Sequence, residues 1–591
     1  MHPFGFHAAN LLLHICSTFL VFAIVKRITS KPWPAAVGAL LFAIHPIQVE
    51  CVAWVTAGKD LLCGCLSLAS VMLYVKGRDG TRDENRARYG LLYGAALVLF
   101  LLALLAKPTA ACVPLVIFVM DAWLLRQGPK RAGARLWPWF AVAFAYAIFT
   151  KGTQPDAEIQ HVAAMFVRPM IAADAVAFYL GKLLLPFRFA ADYGRTPSSV
   201  MSSPWFFKGG LLLALVLMAI GLTKHRRVGF ACTGLFVMAL SPTLGLIPFA
   251  FQTFSTVANR YVYFAMLGPA VASSCVIAAW SGRRRVHVAA AGILCVLGGL
   301  SMLGAQVWSN DFTLWTHTLE INPRSYTAHY NLAKNYSMKG DEETAAHHYK
   351  RALDVNPSYD RALNNLGLVL VSQGEMEEGI ALYRRAIEAM PRNASAHNNL
   401  GLALASRGER EEAILQYRGA LAVQPDYAEV HFNLANSLRE TGDFETCIAH
   451  YRQAMRIQPS MALESLRNIG VALSAMGRHD QAIEHFEEAL SIDPGYEEAH
   501  NDWGLALAAK GMLREAMEHY AKALAANPRF TAAHNNMGIA WARIGDHDRA
   551  ISCFSRALAI DPNYRPAQQN LATAQGEKMR RRQGGSERAT R

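Results

Sequence analysis

Eight prolines, at 323, 357, 391, 425, 459, 494, 528 and 562, stand 34 residues apart with one spacing of 35. The intervals share an internal pattern. Asn-Leu-Ala or Asn-Leu-Gly recurs at 331, 365, 399 and 433, and a glycine follows at 340, 374, 408, 442, 477, 511 and 545. Next comes an aromatic at Tyr349, Tyr383, Tyr417, Tyr451, Phe486, Tyr520 and Phe554, with an alanine three residues beyond each. A unit of this length holds two helices and a turn, and it cannot bury its apolar face alone. Only stacked copies close a core, so the C-terminal half is constrained to a helical solenoid.

The period and the internal pattern are those of the tetratricopeptide repeat (TPR). Seven full repeats are expected over 310–579, with a leading half-repeat at 311–323 and a terminal helix near 564–579. The residue before the Leu-Gly step is Asn331, Asn365, Asn399, Asn433, Asn468, Asp502, Asn536 and Asn570. Such a ladder of amides, each with donors and an acceptor, suits the backbone of an extended peptide lying in the groove; generic packing is the competing explanation. Residues 310–575 hold 25 Lys/Arg and 33 Asp/Glu, a net of −8, which favours a basic or neutral protein ligand. Residues 580–591 are basic and Gly-containing, and are expected to form a disordered tail.

The first 309 residues are a different material. They carry 27 Lys/Arg and only 10 Asp/Glu, a net of +17, between long apolar runs. Ten apolar segments, with cores at 8–25, 33–46, 61–75, 89–106, 109–125, 136–150, 206–223, 228–247, 262–280 and 287–307, predict a polytopic helical membrane domain over 1–309. Alternate loops hold 18 of the 27 positive charges, which assigns those loops to the cytoplasm and everything after 308 to the opposite face. The fold class expected is therefore all-α, a multi-pass membrane domain followed by a TPR solenoid facing the periplasm or a lumen. The 151–205 loop, apolar in part, is read as amphipathic or re-entrant helices at that outer interface. The basic excess sits in short loops beside a lipid bilayer, so it is not a nucleic-acid footprint. Eight of the ten cysteines lie in this half, mostly inside apolar runs, and none shows metal-ligand spacing.

Polar residues that apolar packing does not explain cluster in the outer loops. His45, Glu50 and Asp60 could transfer protons or ligate a metal, although they lack the spacing of a helical two-His zinc site; an interfacial loop with a helix cap at Asp60 is the simpler alternative. Lys107, before Pro108, could bind a lipid phosphate or snorkel from a helical hairpin. Arg260, in Asn259-Arg260-Tyr261, suits phosphate recognition. Asp192-Tyr193 alone is a weak signal, and Asp121 reads as structural.

Several blocks together resemble the transmembrane-and-TPR (TMTC-type) O-mannosyltransferases and their bacterial relatives. They are Pro3 to His14 (PFGFHAANLLLH), Leu41 to Pro46 with Glu50, Gly58-Lys59-Asp60-Leu61-Leu62, Lys107-Pro108, Asp192-Tyr193 and Arg260-Tyr261-Val262-Tyr263. The resemblance implies a GT-C glycosyltransferase fold in a bacterial inner membrane or the endoplasmic reticulum. It implies transfer of a sugar from a polyprenyl-phosphate donor to protein Ser/Thr, with Lys107, Arg260 and Lys59 as cations for the departing phosphate and the TPR groove presenting the acceptor. No bound cofactor is expected, and a divalent metal is left open. Two departures qualify it. In the family a first span and an outer loop with the catalytic acid precede the Pro-Phe-Gly block, so that catalytic segment is expected to be missing here. Asn259 also stands where relatives carry Glu. The competing readings are a non-catalytic, membrane-anchored TPR scaffold for protein–protein interactions in envelope assembly or secretion, and a transporter with a TPR receptor.

Overall fold

The computed structural model describes residues 3–78, 86–153, 164–203, 206–246 and 255–589. Among them there is no strand: the protein is all-α. Among the described residues, thirteen α-helices precede residue 309. They are α1 (Pro3–Thr29), α2 (Pro32–Ile44), α3 (Val49–Ala53), α4 (Gly58–Gly77), α5 (Arg86–Ala106), α6 (Val113–Val119), α7 (Pro129–Thr153), α8 (Arg168–Leu184), α9 (Pro197–Met201), α10 (Lys208–Gly221), α11 (Arg226–Leu240), α12 (Leu267–Ala279) and α13 (Arg284–Val307). The repeat helices follow as α14 (Asp311–Ile321), α15 (Tyr326–Ser337) and α16 (Glu342–Val355). Contacts divide the chain into two compact units, Met1–Asn356 and Pro357–Arg591, so these three helices belong to the same unit as the apolar half.

Among the described residues, five helical stretches are long and apolar enough to cross a membrane: Phe4–Thr29, Val55–Gly77, Arg88–Ala106, Pro129–Thr150 and Arg284–Val307. The pair Pro32–Ile44 and Pro46–Ala53, bent by 47°, makes a sixth if it is one broken span. The remaining apolar runs of the sequence are shorter helices. The apolar runs at 109–125, 206–223 and 262–280 fold as the shorter helices Pro108–Leu124, Lys208–Gly221 and Phe264–Ala279, and the run at 228–247 yields the 15-residue α11. Run length sets only an upper bound; prolines and 3-10 or π turns cut it. Large apolar side chains on α13 stay exposed, among them Val288, Val296 and Met302, as befits a helix whose surroundings are lipid. Of the 151–205 loop, 154–163 and 204–205 lie outside the described residues, and the rest includes α8 and α9. Asp121, fully buried in a π turn, is paired with Arg78 and accepts a bond from the Tyr74 hydroxyl at 3.1 Å, a structural role as expected.

The second unit is a run of antiparallel helix pairs: α17 (Asp360–Ser372) with α18 (Met376–Ala389), α19 (Ala394–Arg407) with α20 (Arg410–Val423), α21 (Ala428–Thr441) with α22 (Phe444–Ile457), α23 (Ala462–Ala475) with α24 (His479–Ile492), α25 (Glu497–Ala509) with α26 (Leu513–Ala526) and α27 (Thr531–Ile544) with α28 (His547–Ile560). The sequence pattern has a physical cause. A Cβ on Gly401 would sit 2.6 Å from the Tyr417 ring, so glycine lets the paired helix seat its aromatic. Gly408 closes α19 at φ +91°, the left-handed cap that only glycine adopts freely. The last helix, α29 (Arg565–Ala589), runs ten residues past the expected end at 579, so the segment expected to be a disordered tail is helical to Ala589.

Three repeats carry a histidine pair that the sequence reading did not single out. Nδ1 to Nδ1 distances are 3.0 Å for His329 and His348, 2.8 Å for His431 and His450, and 3.3 Å for His500 and His519. Nε2 of the first member faces a proline carbonyl (Pro323, Pro425, Pro494), so that nitrogen carries the proton and its Nδ1 accepts from the partner. Burial and the neighbouring imidazole hold His348 down at about 4, and burial, Lys522 and His500 do the same for His519. Their unfolded value is near 6.5, so the unfolded chain binds more protons between pH 6.5 and 4. Their stabilisation is complete above 6.5 and lost as pH falls towards 4. Amide exchange of α15–α16 and α25–α26, corrected for intrinsic rate, is expected to be faster at pH 5 than at pH 7. Exchange of α19–α20, where His397 meets Gln416 instead at 2.8 Å, should stay level; His348→Gln should flatten the response of α15–α16.

Candidate functional site

The site is built where an apolar helix is forced to break. Pro46 drives the preceding residue out of helical conformation, and His45 is extended at φ −72° and ψ 131°. The chain turns through Pro46–Gln48 into α3, whose first turn holds Glu50, 2% exposed. Trp54 ends α3, and its carbonyl accepts from Asn10 Nδ2 on α1 at 3.1 Å. Helix α4 then begins, with Asp60 in its first turn, where the helix dipole favours a negative charge. Lys107 lies in extended backbone just after α5 and before Pro108.

Arg260 comes from a 3-10 turn, Asn259–Val262, ahead of α12. Its Nη1 donates to Glu50 Oε1 at 2.9 Å, and its guanidinium lies 5.3 Å from the Trp54 ring and 5.2 Å from the Tyr261 ring. Lys107 is paired with Asp60 and stands 5.8 Å from the Tyr261 ring. Tyr179 on α8 clamps the approach to the turn, its hydroxyl accepting from Ala258 N at 2.9 Å and donating to Ala258 O at 3.1 Å. His14 of α1 meets the Tyr263 hydroxyl at 3.0 Å and the Ala43 carbonyl at 2.9 Å. A Cβ on Gly64 would meet the Tyr263 ring at 2.5 Å, so α4 and Tyr263 touch directly. Asp60, Arg260, Tyr261, Thr109, Cys63 and Thr243 are among the residues lining a recess of roughly 400 Å³, open mouth included.

The structure thus brings Glu50, Asp60, Lys107 and Arg260 together, from separate segments, on and behind one recess. His45 stands apart from the reacting groups, since both its ring nitrogens are engaged, Nδ1 accepting from Ile47 N at 3.2 Å and Nε2 meeting Leu183 O at 3.2 Å. Lys59 is exposed and does not line the recess. Both clustered cations are paired with a carboxylate, so the four charges balance. Gln48 is the residue that sequence reasoning passed over. It is 1% exposed and both its amide atoms lack a partner, as does Glu50 Oε2. Buried polar atoms without partners mark a place for a ligand group or water; the only signal in the sequence is an amide inside an apolar stretch. Among the described residues no three His, Cys, Asp or Glu converge as a metal site requires.

The asparagine ladder is arranged differently from a row of free amides. Asn399, Asn433, Asn536 and Asn570 donate to Asn364, Asn398, Asn501 and Asn535 of the preceding repeat, at 3.0, 3.2, 2.9 and 2.9 Å. Asn331 donates to the Thr327 carbonyl, Asn365 accepts from Asn364, Asn468 accepts from Arg439, and Asp502 pairs with Arg467. The ladder ties successive repeats together, and each donating amide keeps a second N–H.

Fold and site define a helical membrane protein with a carboxylate-and-cation recess and a C-terminal TPR array. Tetratricopeptide-repeat family models match residues 330–394, 401–438, 426–495 and 531–564. About 59% of the chain is similar to TMTC-type protein O-mannosyl-transferases. "Protein O-mannosyl-transferase TMTC4" of Mus musculus is 26% identical over 409 residues, covering 59% of this chain and 55% of that protein. "Protein O-mannosyl-transferase F38B6.6" of Caenorhabditis elegans is 26% identical over 374 residues, covering 59% and 50%. The chain spans about half the length of these curated relatives. Among solved structures, a tetratricopeptide repeat protein from Parabacteroides merdae covers 42% of this chain and 98% of its own, at 17% identity and a TM-score of 0.36.

A buried carboxylate that loses its partner is left uncompensated, at a cost of about 3–5 kcal/mol. Arg260→Ala is therefore expected to lower the thermal midpoint of the detergent-solubilised protein markedly. Arg260→Met combined with Glu50→Gln should recover most of that loss in the same melting measurement.

Proposed function

We propose that this protein is a membrane glycosyltransferase of GT-C type. It transfers a sugar from a polyprenyl-phosphate donor to Ser or Thr of a protein acceptor, and its TPR array engages the acceptor chain. The observation that carries this reading is the convergence of Glu50, Asp60, Lys107 and Arg260 at one recess, in a chain similar to protein O-mannosyl-transferases. On this reading the recess and the repeats face the periplasm or the lumen of the endoplasmic reticulum.

Asp60 is the base. It lines the recess and is paired with Lys107. Its carboxylate takes the hydroxyl proton, the hydroxyl oxygen bonds to the anomeric carbon, and the bond from that carbon to the phosphate oxygen breaks with its electron pair leaving on the phosphate. Protonation of Asp60 removes the charge that balanced Lys107. The ammonium is thus unbalanced at the moment the phosphate gains charge, beside an Arg260 held in place by Glu50, which is stabilisation aimed at the transition state. Acidic repeats favour basic or neutral stretches of the acceptor.

Transfer from a polyprenyl-phosphate sugar to a Ser/Thr protein, followed by mass spectrometry in native-like membranes, tests this. Asp60→Asn is expected to lower kcat by about 10²–10⁴, the usual contribution of a positioned base. Lys107→Gln should lower kcat more than it raises KM. Unchanged transfer in Asp60→Asn would rule out Asp60 as the base and leave the recess structural, whereas no transfer by the wild-type protein would return it to the anchored-scaffold reading. Binding of a basic acceptor segment is expected to weaken as salt rises from 0.05 to 0.5 M, because exposed charge pairs are screened on the scale of about 10 Å at 0.1 M.

A further inference from the structure

The loop after α8 joins two places far apart in the sequence. Asp192 Oδ2 accepts from Ser325 Oγ at 2.6 Å and from Thr327 Oγ1 at 3.3 Å, while its Oδ1 accepts from Gly194 N at 2.8 Å. Ser325 is 1% exposed and is itself the N-cap of α15, its Oγ accepting from Ala328 N at 3.1 Å. Its one proton goes to the carboxylate and one of its two lone pairs to the helix N–H, so the hydroxyl bridges loop and helix. The fit around it is tight. Gly194 sits at φ +64°, and a Cβ there would meet Asn322 Nδ2 at 2.8 Å. The residue next to Asp192 faces the other way: Tyr193 donates to Asn259 Oδ1 at 3.0 Å, and Asn259 precedes Arg260 in its turn. Thr256 N, ahead of that turn, donates to Arg195 O at 2.6 Å.

We propose that Asp192 is the positioning residue that docks α15, the first helix of the first full repeat, onto the apolar half and holds it at a fixed offset from Arg260. Two adjacent residues of one loop hold the two elements, Asp192 the cap of α15 and Tyr193 the turn that carries Arg260. This rests on the transferase reading only for its catalytic consequence; the docking itself does not depend on it.

Hydrogen exchange on the full chain in nanodiscs tests the docking with no activity required. Ser325→Asp is the deciding variant. It keeps an acceptor for Ala328 N, since Asp caps helices well, but sets a second carboxylate against Asp192. Exchange in the first turn of α15 is expected to quicken by about tenfold, in line with loss of a hydrogen bond to a charged group. The swapped pair Asp192→Ser with Ser325→Asp, which restores one donor and one carboxylate, should bring it back. Wild-type exchange in Ser325→Asp would mean that Ser325 is only a cap and would overturn the proposal, as would no recovery in the swap. Where transfer is measurable, Ser325→Asp should raise KM for a long protein acceptor and leave kcat for a short Ser/Thr peptide unchanged. An equal fall in kcat for both acceptors would point to general loosening and would sink it. A wild-type protein with no transfer at all would count against the transferase reading, and the exchange result would still decide the docking.

Discussion

The ion pair between Arg260 and Glu50 is the constraint around which the apolar half is arranged. A charge at 2% exposure survives only if it is paired and its neighbours hold the pair rigid. Each segment nearby does part of that. Trp54 and Tyr261 present ring faces to the guanidinium, Tyr179 clamps both backbone atoms of Ala258, Tyr193 holds Asn259, and Asn10 fixes the carbonyl of Trp54. Helices α1, α3 and α8 and the 3-10 turn before α12 are thereby tied to one guanidinium. Their relative positions cannot drift without unpairing a buried charge.

The two halves are held together by different forces. Lipid-facing helices gain nothing by hiding apolar surface from lipid, so their order depends on close packing and polar contacts. Gly64 against Tyr263, His14 against Tyr263 and Asp121 with Arg78 are contacts of that kind. The repeats face water, and there stacked apolar faces supply the stability. Their polar contacts do something narrower: each Asn–Asn bond across 35 residues sets the offset between neighbouring helix pairs.

Charge balance makes the recess stable at rest. With Glu50, Asp60, Lys107 and Arg260 paired, the site carries no net charge and needs no counter-ion in a low-dielectric setting. On the transferase reading proposed above, moving one proton to Asp60 would leave a net positive site next to the place where the anion forms. Gln48 and the unpartnered Glu50 Oε2 add unused hydrogen-bonding capacity at the bend between α2 and α3.

The sequence by itself determined the parts that are periodic or locally forced. The 34-residue spacing required helix pairs because no single pair can bury its face. The glycine–aromatic pattern required close approach, and Pro46 required a break at His45. Charge asymmetry separated a lipid-facing half from a water-facing one. The candidates Glu50, Asp60, Lys107 and Arg260 were legible as polar residues without an apolar explanation. What only the tertiary structure decided were the pairings. Glu50 and Arg260 are 210 residues apart, and Asp60 and Lys107 are 47 apart. Nothing local selects one carboxylate for one cation, so His45 and Lys59 looked as eligible as the residues that converge. The number of long spans was likewise decided by tertiary folding, because an apolar run states how much lipid or protein a helix can tolerate around it, not where a turn will end it. The ladder amides and the Asp192–Ser325 tie were invisible for the same reason: a side chain's hydrogen-bonding capacity is a property of its residue type, while its partner is a property of the fold.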